Sequence, residues 1–380
     1  MKIIYITNAR IPTEKAHGLQ IIKTCEALAN LGVAVELIAP TRKNYIMEDV
    51  FSFYHVKNNF KITYFKSFDF FRWHQIIGHL SFILNSLTFL LTLRKNKLPN
   101  DSVVYTRQPE IAWLMLRRGY KVFFEAHRWP ESKNKLFKFL LKNIAGVIGN
   151  SQGTVSEFTK RGWKNVLVAQ NGVDLDDFNV SKTKTELREI FSLPVTKKIV
   201  LYLGHFYDWK GVDSIIATAE KMIADTEIFF VLAGGTTADI NQYQKIINDK
   251  NLTNVLLLGF QKHQHVPPLL KSADILLLPN IPISEESKYQ TSPIKMFEYM
   301  ATGVPIIASD LPSIKEILNE HNALLVPPSN INKLAPAIKH LLQNQDLAVK
   351  ISTQALTDVK QYSWQKRAEK ILKFAQNYRI

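Results

Sequence analysis

The chain has 380 residues, of which 46% are apolar, with 48 Lys+Arg against 33 Asp+Glu and a net charge of +15. That length suits two domains better than a single core, and the apolar share excludes a disordered chain. Cys25 is the only cysteine, which excludes a disulfide framework and a cysteine metal cluster and fits a reducing, cytoplasmic setting.

The chain opens on "KIIYIT", a short alternating run that reads as a first strand and not as a signal peptide. A first helix runs from near Gly18 to Gly32. The strands "AVELIAP", "KITYF", "VVYT", "KVFFEA", "GVIGNS" and "NVLVAQNGV" follow, alternating with amphipathic helices. "LSFILNSLTFLLTL" (Leu80–Leu93) is the longest greasy stretch, yet a spanning helix needs ~20 apolar residues, so it reads as a helix that does not cross a membrane. Residues 179–198 are polar and rich in Lys, Thr and Ser, which predicts a linker after a first domain of residues 1–178. The second domain, 199–362, repeats the same grammar with "KIVLYLG", "EIFFVLAGG", "NVLLLGF", "DILLLP", "VPIIAS" and "ALLVPP". A terminal segment, 363–380, holds a helix from about Trp364 to Tyr378 that either half can receive, with a return onto the first expected. Strands alternating with helices specify parallel sheets covered on both faces. The fold class expected is therefore α/β, with two Rossmann-like parallel-sheet domains.

The positive charge is uneven: residues 1–180 carry 25 basic against 14 acidic residues, and residues 181–380 carry 23 against 19. A basic first half points to an anionic partner. Nucleic acid is excluded as that partner, because no recognition motif is present and the aromatics sit in apolar runs. A nicotinamide dehydrogenase is excluded because neither first strand is followed by G-x-G-x-x-G.

Five stretches carry chemistry. In "LYLGHFYDWKGVDSII" a strand ends at Gly204, and Lys210-Gly211 opens a helix. Strand, glycine turn and helix N-terminus make an anion site, to which Lys210 adds a point charge. In "TSPIKMFEYMATGVPIIAS" Ser292 reads as an N-cap and Pro293 as the first helical residue. Ile294, Phe297 and Ala301 mark the buried face. Glu298 lies off that face, placed to accept from a vicinal diol such as a ribose, while the N–H groups of Ile294 and Lys295 face a phosphate or a sugar. The plainer reading is a surface ion pair between Lys295 and Glu298. "FFEAHRWP" ends a strand at His127, on the sheet edge where such folds bind ligands. "NARIPTEKAHGLQ" is a long first loop with Lys15, His17 and Gly18 above the same edge. "NGVDLDDF" contains Asp174 and Asp176, a D-x-D that can hold a metal–diphosphate but stands here at the interdomain hinge.

Taken together and in this order, these stretches resemble the family 4 glycosyltransferases, along with "NSQGTVSEF", "VPPLLKSADILLLPN" and "SDLPSIKEIL". The resemblance spans nearly the whole chain. It implies the GT-B fold, two domains facing a cleft, and retaining transfer of a sugar from a UDP- or GDP-linked donor. No cofactor and no metal is implied. The acceptor implied is a glycan or lipid-linked glycan of cell-surface polysaccharide or glycolipid biosynthesis. By this resemblance Glu298 grips the nucleotide ribose, Lys210 holds the donor diphosphate with Gly204, Ser292 and Ile294 alongside, and the backbone at Gly18 approaches that diphosphate. His127 lies near the sugar and acceptor. The candidate catalytic residues are then His127, Lys210 and His205. Two positions depart from the pattern: Gln290 stands where a first Glu is usual, and His205 where an Arg is usual. An amide still donates and accepts but is uncharged, and a histidine's charge depends on pH. A sugar-nucleotide epimerase or a non-catalytic sugar-nucleotide binder are the alternatives, separated from a transferase by whether a second substrate is consumed.

"SKNKLFKFLLKN" (residues 132–143) mixes Lys133, Lys135, Lys138 and Lys142 with Leu136, Phe139 and Leu140. With Arg94, Lys95 and Lys97, it suits an anionic membrane surface that presents a lipid-linked acceptor, and so a peripheral position on the inner face of the membrane.

Overall fold

A computed structural model describes residues 1–377, so Tyr378 and the remaining tail of the last expected helix lie outside the described residues. The chain divides into two compact units, Met1–Gln170 with the segment beginning at Trp364, and Asn171–Ser363.

The first unit contains seven strands: β1 (Lys2–Ile6), β2 (Ala34–Pro40), β3 (Lys61–Phe65), β4 (Ser102–Thr106), β5 (Lys121–Ala126), β6 (Gly146–Gly149) and β7 (Val166–Val168). They form one sheet in the order β3-β2-β1-β4-β5-β6-β7, and the pairs are parallel. The strands are apolar on both faces because helices cover both. Phe89, Leu93, Ile111, Met115, Phe137, Leu141 and Phe158 fill one face against Ile4, Val104, Val122 and Phe124. The terminal helix Trp364–Asn377 lies along the helix Ala16–Asn30. Gly146 leaves room for the Phe374 ring, which meets Phe123 edge-on at 5.7 Å.

The second unit repeats the plan with β8 (Lys198–Leu203), β9 (Ile228–Ala233), β10 (Val255–Gly259), β11 (Ile275–Leu278), β12 (Ile306–Ser309) and β13 (Leu324–Val326), in the order β10-β9-β8-β11-β12-β13. All its pairs are parallel. Apolar clusters cover both faces, one around Leu201, Leu276, Phe297 and Ile306, the other around Val200, Phe230, Ile275 and Ile338. In each sheet the strand order reverses beside the first strand, at β1/β4 and at β8/β11. Open α/β sheets bind ligands off the carboxyl ends at that point.

Residues 179–198, expected as a linker, are structured. Thr183 and Glu186 form a capping box on the helix Lys184–Ile190. Arg188 on that helix is buried and donates to Asp274 at 2.6 Å and to the carbonyls of Ser272, Val195 and Lys197. The segment belongs to the second unit, its guanidinium tied to residues just before β8 and β11.

Candidate active site

The carboxyl end of β8 is built around glycines. Gly204 has φ +147, and a Cβ there would stand 3.3 Å from both the Lys295 Nζ and the Tyr202 hydroxyl. Gly234, after β9, packs directly on the Gly204 backbone, where a side chain would collide. The chain then makes a short 3-10 turn, Asp208–Lys210, and Gly211 at φ +75 starts the helix Val212–Lys221. A side chain on Gly211 would run into the Pro279 carbonyl, so the loop is wedged against the end of β11. These are places that only glycine fills without strain.

Lys210 sits in that wedge with its Nζ 3.6 Å from the Trp209 ring centroid. Burial of the ammonium lowers its pKa to about 7. No hydrogen bond or ion pair neutralises it among the described residues. His205 stacks on Tyr207 at 5.0 Å and 17°, and its carbonyl accepts from the Tyr202 hydroxyl at 2.6 Å.

The segment after the helix Glu285–Tyr289 supplies the rest. Gln290, Thr291 and Ser292 are buried. The Ser292 carbonyl accepts from Asn171 Nδ2 at 2.6 Å and its hydroxyl from the Asn171 N–H at 3.4 Å. Ser292 therefore does not cap the next helix as expected: Pro293 takes the cap position, and the helix runs Ile294–Met300. Glu298 was expected off the buried face, but the whole run Lys295–Met300 is buried, Glu298 at 6% exposure and Lys295 at 5%. That removes the surface ion pair as a reading of these two residues. Tyr299 pins the helix to the end of β8: its hydroxyl accepts from the Leu203 N–H at 2.9 Å and donates to the Leu203 carbonyl at 3.3 Å. Lys295 then feels both the Lys210 and the Glu298 charge. Asn280, just past β11, is fully buried, and both atoms of its amide lack a hydrogen-bond partner among the described residues.

Gly18 and His127 lie in the first unit. Gly18 is in the first turn of the helix Ala16–Asn30, where a Cβ would collide with Thr13 and the Tyr54 hydroxyl. That hydroxyl accepts from the Thr13 N–H and donates to the Thr13 carbonyl, both at 2.7 Å, which ties the long first loop to the helix Val50–Tyr54. His17 is pushed down to about 3 by burial and by Arg107. His127 donates from Nε2 to Glu125 at 3.2 Å and accepts at Nδ1 from Asn150 Nδ2 at 3.2 Å. Burial, then the Arg107 charge, push its pKa down to about 4, so the ring is neutral at pH 7 and both nitrogens are engaged. Glu125, fully buried at the end of β5, also receives Arg367 Nη2 at 2.6 Å, the Tyr5 hydroxyl at 3.3 Å and the Gln20 amide. Arg367 and its other partners hold the Glu125 carboxyl well below the usual range.

Asp174 and Asp176 stand in the segment that enters the second unit, Asp176 opening a short 3-10 turn. Among the described residues no group of three or more His, Cys, Asp or Glu is arranged to hold a metal ion.

Sequence reasoning missed the Lys295 ammonium, Asn280, Asn171 and the Glu125–Arg367 pair. A carboxylate inside the apolar run "KVFFEA" was the available sign for Glu125. The lysine inside "IKMFEYM" was read through its backbone N–H and, in the plainer reading, as a surface partner of Glu298, not as a buried ammonium.

The two sheets and their strand orders define the GT-B class of fold, and solved structures agree. A crystal structure of Anabaena HepE in complex with UDP and glucose covers 99% of this chain and 100% of its own at TM-score 0.78 and 16% identity. Residues 183–358 match the model of the glycosyl transferases group 1 family. The alpha-D-kanosaminyltransferase of Streptomyces kanamyceticus is 28% identical over 182 residues, 47% of this chain and 45% of that protein, so the chain spans about half the length of this relative. A putative teichuronic acid biosynthesis glycosyltransferase of Bacillus subtilis is 22% identical over 367 residues, 89% of this chain and 88% of that protein. These matches make the chain similar to family 4-like glycosyltransferases, with the group 1 model matched over residues 183–358.

Proposed function

We propose that this protein is a retaining glycosyltransferase that moves a sugar from a UDP- or GDP-linked donor to a glycan or lipid-linked glycan, in cell-surface polysaccharide or glycolipid biosynthesis. The observation that carries the reading is Lys210: a lysine at a glycine-built strand-to-helix turn, with no anionic partner among the described residues and a pKa that burial lowers to about 7. A site of that kind is completed by phosphate oxygens. The UDP in the HepE structure and the names of the relatives favour the same chemistry.

In this mechanism the bond from the anomeric carbon to the diphosphate oxygen breaks with growing negative charge on the diphosphate, the acceptor hydroxyl oxygen bonds to that carbon on the same face, and its proton passes to the departing diphosphate. Lys210, His205 when protonated and the N–H groups opening the helix Val212–Lys221 stabilise that charge. Glu298 accepts from the ribose hydroxyls. Gln290 takes the donor-sugar hydroxyls as a neutral amide. Glu125 fixes the tautomer of His127 at Nε2, and exchange of the Asn150 bond at Nδ1 for a hydroxyl of the donor or acceptor is what would let the ring orient that hydroxyl. No metal is required in this reading, because side chains supply the cationic charge.

Membrane attachment is part of the proposal. The helix Leu80–Lys95 buries Ser81, Asn85, Phe89 and Leu93 but leaves Phe82, Ile83, Leu87 and Leu91 exposed, and exposed Arg94 and Lys95 close it. The helix Asn134–Leu140 exposes Leu136 and Phe139 beside Lys135 and Lys138. Apolar and cationic surface together suit an anionic bilayer. No helix among the described residues is long and apolar enough to cross a membrane.

The test is product analysis. Incubation with UDP- and GDP-sugars and a lipid-diphosphate or glycan acceptor should yield a glycoside whose anomeric configuration, read by proton NMR, matches that of the donor. An inverted product would end the retaining reading. Conversion of the donor without a second substrate would favour an epimerase.

A further inference from the structure

Lys295 has no task in the site so far. The helix Ile294–Met300 drives it inward, and its Nζ stands 3.8 Å from the Tyr202 ring centroid. The missing side chain of Gly204 leaves the ammonium directly beneath that residue's backbone, since a Cβ there would lie 3.3 Å from it. The ammonium has no hydrogen-bond partner among the described residues. The nearby Tyr202 and Tyr299 hydroxyls donate to the His205 and Leu203 carbonyls, and neither accepts from the ammonium. The charges that face it are Lys210, which repels it, and Glu298, which attracts it.

Buried lysines ordinarily reach solvent or pair with a carboxylate, and a buried polar group without a partner is rare enough to need a reason. Here two desolvated ammonium groups lie within electrostatic range of each other, on separate elements that meet at one glycine turn. A nucleoside diphosphate carries more than one negative charge, and Lys210 alone matches only part of it. We infer that Lys295 is a second cation for the donor diphosphate, its ammonium donating to a phosphate oxygen at the Gly204 turn while Lys210 approaches from the loop. The inference rests on the donor site proposed above and adds to it a phosphate ligand from inside the helix that also carries Glu298. Burial and the Lys210 charge hold the lysine well below its ordinary pKa, a cost that an arriving anion offsets.

Lys295→Met keeps an unbranched stem one atom shorter and removes the charge. Calorimetry with UDP, or with GDP if the wild type prefers it, and NMR titration with the matching nucleoside should be run on wild type and variant, with apo melting curves alongside. The variant should bind the diphosphate at least tenfold more weakly, bind the nucleoside within twofold of wild type, and melt at the same temperature or higher. If the Met variant does not fold, Lys295→Gln is expected to show the same split between diphosphate and nucleoside. Diphosphate affinity within twofold of wild type in a folded variant would overturn the inference and leave the donor site standing. Equal losses for diphosphate and nucleoside would also overturn it, because they mark a role in shaping the pocket. A wild type that binds no nucleoside diphosphate would remove the donor site itself, and the inference with it.

Discussion

The two units bury charge in opposite ways. In the first, Glu125 is surrounded by Arg367, His127, Tyr5 and Gln20, and Arg367 also donates to Thr24 at 2.9 Å. The carboxylate is saturated, and the salt bridge ties the terminal helix onto the first sheet. In the second, Lys295 is buried beside the Gly204 turn with no hydrogen-bond partner among the described residues, and the half-buried Lys210 stands over the Trp209 ring with no ion-pair partner among them. Both arrangements come from burial, yet only one is complete without a ligand. A saturated buried charge holds the fold together, whereas an unsaturated one is where the proposed diphosphate would supply the counter-charge.

Breaking the saturated pair should have the largest effect on stability. Arg367→Met leaves Glu125 buried without its main counter-charge and is expected to cost about 3–5 kcal/mol. Thermal unfolding should then fall by several degrees. A melting temperature within a degree of wild type would show that the network does not hold the terminal helix. Treating the unsaturated cation the same way should do the reverse. Lys210→Ala removes a transition-state charge partner, so turnover should fall by ~100-fold or more, while the melting temperature stays at or slightly above wild type. Near-normal kcat in that variant would take Lys210 out of the mechanism.

Smaller effects sharpen the contrast. Glu298→Gln should weaken nucleotide binding by about 1–3 kcal/mol, the range for a hydrogen bond to a charged group, and calorimetry would detect it. An unchanged affinity would separate Glu298 from the ribose. Smallest per residue is the surface charge of the first unit. Replacing Lys135, Lys138 and Lys142 by Gln should reduce sedimentation with anionic vesicles at low salt by about 1 kcal/mol per charge, and added salt should reduce it further. A wild type that fails to sediment with such vesicles would end the membrane part of the proposal.

How much of this was legible in the sequence differs from element to element. The thirteen strands were readable because a two-sided sheet leaves uninterrupted β-branched runs between helices. The loop after Gly204 was readable because strand, glycine, lysine and helix follow one another locally. The helix Ile294–Met300 was misread at its polar face, because a 3.6-residue period shows which side is apolar and not whether the other side is buried too. Lys295 and Glu298 looked solvated for that reason. The capping box Thr183–Glu186 was present as S/T-x-x-E in "TKTE", but the polar composition around it outweighed that signal. The Glu125–Arg367 pair joins residues 242 apart and has no local signature. Ser292 looked like a cap by type, while Asn171, far away in the chain, claims its hydroxyl and carbonyl.

The central claim is that the second unit holds a nucleoside diphosphate through side-chain cations without a metal. A melting screen of the wild-type protein with UDP, GDP, ADP, NAD and a short RNA, each with chelator, tests it most directly. A ligand bound only to the native state at 100 times its Kd stabilises by about 2.7 kcal/mol, which for a unit of this size is a shift of several degrees. UDP or GDP should give the largest shift in chelator, and magnesium should add nothing. A shift that needs magnesium would move the diphosphate to Asp174 and Asp176, and a shift with NAD or RNA alone would contradict the account.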